Sequence, residues 1–423
     1  MKQSGIDWIG EIPDDWKIIR LKHIFQIKKD IAGKEGFTVL SVTQTGIRPK
    51  DMSSKGQFAL DYSKYQLVNS GEFIMNHMDL KTGWIDISKY NGVTSPDYRV
   101  FYLTDKNCVK DYYKQIFQYC YKNLIFFSLG QGVADLGRWR LPAEMFNNFK
   151  LPLPPKATQQ RIAEYLDKKV SEIDSIIEES KKSIEEYKAW KQSVIFEAVT
   201  GKCHADSILL TQNSDEKKEI PLGISNPCGN KMKDSGIEWI GEIPEGWKCL
   251  SLKNLCSMQA GKNLISEQIA SSGLYPVYGG NGIRGWYDDF NTDGDYILIG
   301  RQGALCGNVH KVSGKFWATE HAVVTTPKRL FVMVEFLYYL LVGMNLNQYA
   351  SNSAAQPGLS VNAILNVKTI LPPLHEQESI AKMLDKKCAE IDSIIAEKES
   401  LIADLTEYKK SLIFEVVTGK RSV

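Results

Sequence analysis

"SVIFEAVTGK" occupies residues 193–202, and "SLIFEVVTGK" occupies residues 411–420. Each decamer closes a stretch of about 44 residues that contains neither Pro nor Gly. One stretch begins after "PLPP" (152–155), the other after "LPP" (371–373). Proline just ahead of a run and glycine just behind it are the start and stop marks of a helix, so Gly201 and Gly419 read as C-cap glycines. At ~1.5 Å per residue each helix is roughly 60 Å long, well beyond the usual globular length.

The duplication reaches further than the helix ends. "EIDSII" occurs at 172–177 and again at 390–395, with the same offset of 218 as the decamers. Upstream, "KQSGIDWIGEIPDDW" (2–16) returns as "KDSGIEWIGEIPEGW" (233–247), now offset by 231. The chain therefore reads as two tandem units, each an opening phrase, a variable body and a closing helix, with the second body thirteen residues shorter. The bodies differ apart from faint echoes. "GEFIMNHMDLKTGW" from Gly71 and "GDYILIGRQGALCG" from Gly294 both run from a Gly-acid turn through a β-rich stretch into a Gly-punctuated loop. "FTVLSVT" (37–43), "YILIG" (296–300) and "AVVTT" (322–326) read as strands, and 112–127 and 334–346 as helices packed on them. The fold class that follows is α/β (α+β), with two mixed bodies of about 140–150 residues alike in frame and unlike in surface.

The long helices carry heptad seams. The first places Leu166, Val170, Ile173, Ile177, Ile184, Tyr187 and Val194 on three- and four-residue steps, interrupted by Ser180 and Lys191. In the second the seam is Leu384, Cys388, Ile391, Ile395, Ile402, Leu405 and Leu412, interrupted by Lys398 and Lys409. Because the interruptions match, the simplest arrangement pairs the two helices with each other, with the polar positions helping to fix register. An amphipathic helix packed only on its own body is the plainer alternative. On the paired reading, a fragment of residues 1–202 self-associates through the Leu166–Val194 seam, with two like-charged Lys191 side chains turned to solvent.

Bulk properties set the limits. A chain of 423 residues suits two to three domains. The longest apolar run, Phe331 to Val342 interrupted by Glu335, is too short for a bilayer, and the polar start lacks a secretory signal. Eight cysteines without a CxxC pair read as reduced thiols in a cytoplasm, and scattered histidines argue against zinc. Net charge is +2, with +5 on residues 1–150, so a nucleic-acid surface has to be a local patch. Residues 203–232, polar and dotted with Pro and Gly, read as a linker. Met1 lies almost on the first phrase and Val423 three residues past the second "TGK", so two nearly whole units are expected.

Catalytic motifs are missing. No phosphate-binding GxxxxGK[ST] loop occurs, nor the Asn/Asp-Pro-Pro-aromatic element of base methylation, and "GGNG" (279–282) has no evident helix after it. Asp206 with "EKK" (216–218) mimics a nuclease metal site but sits in the linker, without flanking strands. What remains are polar loops suited to base edges and phosphates. In the first body these offer Gln44, Thr45, His77, Lys81, Gln131 and Arg138. In the second they offer Arg284, Arg301, Gln302, His310, Asn352 and Gln356. Arg and Lys suit guanine, Asn and Gln suit adenine, and any one of these side chains taken alone is equally a solvated loop residue.

A body, an "LPP", a long helix ending in "TGK", then the pattern again: the whole chain resembles the specificity subunit of Type I restriction–modification enzymes. "GIDWIGEIP" (5–13), "GIEWIGEIP" (236–244), "LPLPP" (151–155), "ILPPLHEQ" (370–377) and the two "FExVTGK" ends carry the resemblance. The first copy departs from Pro-Pro-x-x-Glu-Gln, reading "PPKATQQ" (154–160), which is expected to weaken one local partner contact. The resemblance implies target-recognition domains at 1–155 and 233–373 held apart by spacer helices at 156–202 and 374–423, paired as an antiparallel coiled coil in a pseudo-two-fold tandem repeat. It implies a cytoplasmic, non-catalytic reader of a bipartite site in double-stranded DNA, with two methyltransferase subunits and restriction–translocase subunits as partners. S-adenosylmethionine, ATP and Mg would belong to those subunits and no cofactor to this chain. The rival readings are a methyltransferase-fused restriction protein, which would bind S-adenosylmethionine by itself, and a coiled-coil scaffold that touches no DNA.

Overall fold

The computed structural model describes residues 1–51, 61–132, 139–202, 231–303, 306–350 and 358–423. It resolves into two compact units, Met1–Ser180 with Ser400–Val423, and Lys181–Glu399.

Both bodies are built on one sheet. In the first unit four antiparallel strands lie in the order Phe25–Lys28, Arg99–Leu103, Phe73–Met75, Ile85–Ile87. In the second the order is Cys256–Ala260, Ala322–Pro327, Tyr296–Gly300, Val309–Val312, the same succession of first, last, second and third strand. The echo at Gly71 and Gly294 thus leads into the same place in each sheet. One helix backs each sheet, Lys110–Lys122 in the first and Val334–Gly343 in the second. The apolar run 112–127 is two helices and not one, because Leu124 adopts a left-handed φ of 56° and the chain restarts at Ile125–Ser128. Outside the shared frame the bodies part. The first adds a hairpin (Leu40–Thr43, Gly46–Pro49), and the second adds a whole four-stranded sheet around Tyr275–Gly279 and Gly282–Tyr287. "GGNG" is the tight turn between those last two strands, so no helix follows it to bind a cofactor tail.

The long helices run Lys156–Val199 and Leu374–Val417, 44 residues each. Their ends are alike. Gly201 (φ 72°) and Gly419 (φ 75°) are left-handed, Lys202 N–H donates to Glu197 O at 2.9 Å, and Lys420 N–H to Glu415 O at 2.8 Å. These are the C-terminal caps the sequence pattern requires.

What packs on each cap explains the repeated phrase. A Cβ at Gly419 would lie 2.5 Å from Pro13 Cδ and 3.0 Å from Trp16 Cη2. At Gly201 it would collide with Pro244 Cδ and lie 3.2 Å from Trp247 Cη2. The first phrase therefore closes over the end of the second helix, and the second phrase over the end of the first. Ile9, Ile12 and Trp16, and their counterparts Ile240, Ile243 and Trp247, are all buried in these plugs. Two like sockets need two like plugs, and each compact unit draws its socket from the opposite repeat. The second phrase begins inside the segment read as linker, since Met232 pairs with Pro244. The rest of that segment, with Asp206 and 216–218, lies outside the described residues.

Within each unit the helices cross-pair. Lys409 Nζ meets Asp174 Oδ1 in the first unit, and Lys191 Nζ meets Asp392 Oδ2 at 2.7 Å in the second. Asp174 and Asp392 are repeat equivalents, as are Lys191 and Lys409. Moving seventeen residues up one helix, from 174 to 191, corresponds to moving seventeen down the other, from 409 to 392, so the helices of the pair are antiparallel and in one register. Lys191 and Lys409 therefore face carboxylates and not each other. Leu166, Ile173, Ile184, Val194, Leu384, Cys388, Ile391 and Leu412 are buried. Val170, Ile177, Tyr187, Ile395, Ile402 and Leu405 are half-buried, and Lys398 lies over the Tyr187 ring at 5.8 Å.

Gln159 and Gln377, one in each Pro-Pro element, are fully buried. Gln159 accepts from Val109 N–H at 2.8 Å and donates to Pro154 O, and Gln377 accepts from Met333 N–H at 2.9 Å and donates to Pro372 O. Val109 and Met333 are the N-caps of the two body helices, so this glutamine ties body to long helix in both units. The departure "PPKATQQ" leaves that role intact. Glu376 instead accepts from Trp247 Nε1–H at 2.8 Å, an internal contact, where the first copy has Thr158.

Candidate nucleic-acid interface

In the first body three loops converge. The hairpin tip Gln44–Thr45 is tied down by Gln44 Nε2, which donates to Thr82 O at 3.2 Å. Thr82 belongs to a turn stapled by Asp79, whose Oδ1 accepts from the N–H of Lys81 at 3.1 Å and of Thr82 at 2.9 Å. Leu80 N–H donates to Trp139 O, and Gln131 and Arg140 exchange backbone hydrogen bonds of 2.8 and 2.9 Å. Gln44, Thr45, Lys81 and Gln131 are thereby gathered on one exposed edge. Arg140, also exposed there, was not singled out from the sequence, although it ends the same "GRWR" run as Arg138. Arg138 itself lies outside the described residues.

His77 departs from its neighbours. Its side chain is buried, its carbonyl accepts from Leu141 N–H, and its Nδ1 has no partner among the described residues. Burial, with Arg99 and Arg140 nearby, pushes its pKa down to about 3. Arg99 is buried too, donating to Leu141 O at 2.9 Å and lying 4.8 Å over the Phe146 ring. Burial and Arg140 lower its pKa to about 10. In the unfolded chain the His77 imidazole titrates near 6.5, so between that value and 3 the unfolded state binds the extra proton. Its contribution is full above about pH 6.5 and is lost as pH falls toward 3. Going from about pH 7 to about pH 5, wild type is expected to lose on the order of 1–2 kcal/mol more than His77→Gln in chemical denaturation. Parallel losses would contradict this account.

In the second body the edge forms where strands Tyr296–Gly300 and Ala322–Pro327 begin and end. Arg301 N–H donates to His321 O, Leu359 N–H donates to Arg301 O, both at 2.9 Å, and Gln302 bridges to Gly358. Beside them Arg301, Gln302, Ser360 and Asn362 line a shallow cleft of about 450 Å³. Gly280 packs on this corner, since a Cβ there would meet His321 O at 3.1 Å. That turn leads to exposed Arg284, whose stem covers Gly279. Arg284, Arg301 and Gln302 therefore share a corner. His310, half-buried with Nε2 unpartnered among the described residues, is held below its ordinary pKa by burial. Asn352 and Gln356 lie outside the described residues. Glu320 and His321 also stand at this corner and were missed, because nothing in the local pattern links them to residues nineteen positions earlier. Among the described residues no cluster of three or more His, Cys, Asp or Glu side chains is arranged to hold a metal ion, and no helix is long and apolar enough to cross a membrane.

A sequence profile of the Type I restriction modification DNA specificity domain matches residues 13–186 and 244–402. The EcoprrI specificity subunit of Escherichia coli is 42% identical over 161 residues, 37% of this chain and 39% of that protein. The MjaVIII specificity subunit of Methanocaldococcus jannaschii is 24% identical over 97% of this chain and 93% of its own length. Among solved structures, one chain of a type I R-M system superposes with a TM-score of 0.67 at 13% identity, covering 97% of this chain and all of that one. The HsdS subunit of Thermoanaerobacter tengcongensis superposes at 0.53, also at 13% identity, with full coverage of both. At such identities the likeness is one of fold.

Proposed function

The chain belongs to the type I restriction–modification DNA specificity family, and from that premise we propose that it reads a bipartite double-stranded DNA target, one body to each half. Recognition of a DNA target is the general role of this family. The observation that carries the finer reading is one frame used twice with different exposed loops: Gln44, Thr45, Lys81 and Gln131 on the first body, Arg284, Arg301 and Gln302 on the second. A frame repeated for its own sake would repeat its loops. Divergent polar edges on equal sheets suit two different base sequences, because donor and acceptor patterns in the major groove are read by side chains of this kind.

On this reading the chain is non-catalytic. Two methyltransferase subunits and the restriction–translocase subunits assemble on it, and S-adenosylmethionine, ATP and Mg are used by them. The paired helices set the gap between half-sites. The test is to co-express the chain with its methyltransferase and map methylated adenines genome-wide. Arg301→Ala or Gln302→Ala is expected to relax one half-site only, by about 1–3 kcal/mol per lost paired contact. Equal weakening of both half-sites would make these phosphate or folding residues. A complex that shifts no duplex at low salt would leave a scaffold, and S-adenosylmethionine binding by this chain alone would favour a fused enzyme.

A further inference from the structure

At the corner of the second body three side chains form a hydrogen-bonded row. His321 Nδ1 stands 3.1 Å from Gln302 Oε1, and His321 Nε2 stands 3.1 Å from Glu320 Oε1. The row sits on adjoining strand ends, because Gly300 pairs with Ala322 and the Arg301 N–H is bonded to the His321 carbonyl. The backbone on both sides of Gln302 is therefore fixed, and its side chain alone is exposed.

The chemistry of the row gives the amide a direction. A carboxylate only accepts, so His321 Nε2–H donates to Glu320, which fixes the ring and sets its Nδ1 against the near end of the Gln302 amide. With one end of its amide held by the ring, Gln302 turns the other end outward. A free glutamine on this surface would lose rotamer entropy on meeting a base and would offer either end of its amide. Here that ordering is done in advance, and one end is offered.

We propose that Gln302 is a specificity-determining residue of the second body, presenting the free end of its amide to one base edge, with His321 and Glu320 as the positioning residues that hold it so. This rests on the DNA-reading function proposed above. It adds that discrimination at one base pair depends on residues that touch no base.

The experiment uses the full chain in complex with its methyltransferase, mapping the methylated motif for wild type, Gln302→Ala, His321→Ala, Glu320→Gln and the Gln302→Ala/His321→Ala pair. Gln302→Ala and His321→Ala are expected to relax the same single base pair by roughly tenfold. Glu320→Gln should act at that position more weakly. The double variant should be no worse there than Gln302→Ala, because both remove one interaction. His321→Asn, which keeps a polar atom opposite Gln302, should restore part of the preference. If Gln302→Ala relaxes a position that His321→Ala leaves intact, the positioning role is overturned while the DNA-reading function stands. If His321→Ala lowers methylation evenly across both half-sites together with the melting temperature, the residue is structural and the proposal fails. If the wild-type complex binds no duplex, the underlying reading falls instead.

Discussion

A fragment of residues 1–202, supplied with the methyltransferase, is expected to form a homodimer and to direct methylation to a palindrome made of the first half-site and its inverted copy. In the full chain Pro13 and Trp16 close over Gly419, which the fragment lacks. The fragment does carry Gly201, the same socket, which in the full chain is closed by Pro244 and Trp247. Two copies can therefore plug each other. The ion pairs transfer as well: Lys191 meets Asp392 and Lys409 meets Asp174 in the full chain, so in a dimer Lys191 of each copy would meet Asp174 of the other. The like-charged lysine contact anticipated from the seam does not arise, since the antiparallel register puts an aspartate opposite each lysine. A dimer with two-fold symmetry reads a site with two-fold symmetry. Sedimentation showing only monomer, or methylation still dependent on the second half-site, would refute this prediction.

Lengthening both long helices should change the distance between half-sites and leave the half-sites themselves unaltered. Four residues inserted after Glu179 add ~6 Å to one helix, nearly two base pairs of rise. The antiparallel register places the matching insertion after Ala403, so that Asp174–Lys409 and Lys191–Asp392 both survive. The doubly extended chain is expected to methylate a site with a wider gap, at near wild-type efficiency. Insertion after Glu179 alone puts one ion pair and its flanking seam out of register and should cost most of the activity. A doubly extended chain that is active on the original gap would sink the idea that the helices measure it.

Much of this architecture was legible because its causes are local. Helix starts at Pro155 and Pro373, and caps at Gly201 and Gly419, follow from backbone stereochemistry within a few residues. The strands at 296–300 and 322–327 follow from β-branched, apolar runs. The repeat offsets alone indicated two bodies on one frame. The break at Leu124 was not legible, because a left-handed turn inside an apolar stretch leaves no glycine or proline to mark it. His77 reads as a loop residue facing solvent, and only packing against Arg99 and the 139–141 segment buries it.

The sequence by itself determined that the chain is two copies of one frame, with long heptad helices, matched caps and different loops. Periodicity, capping and repetition are written along the chain and need no partner to be read. The tertiary structure alone decided that each opening phrase seals the helix end of the opposite repeat, that Lys191 and Lys409 each find an aspartate, and that Glu320 and His321 align Gln302. Apart from the adjacent pair Glu320–His321, those contacts join residues from 19 to more than 400 positions apart. Their existence depends on register, burial and the meeting of surfaces, which local pattern does not encode.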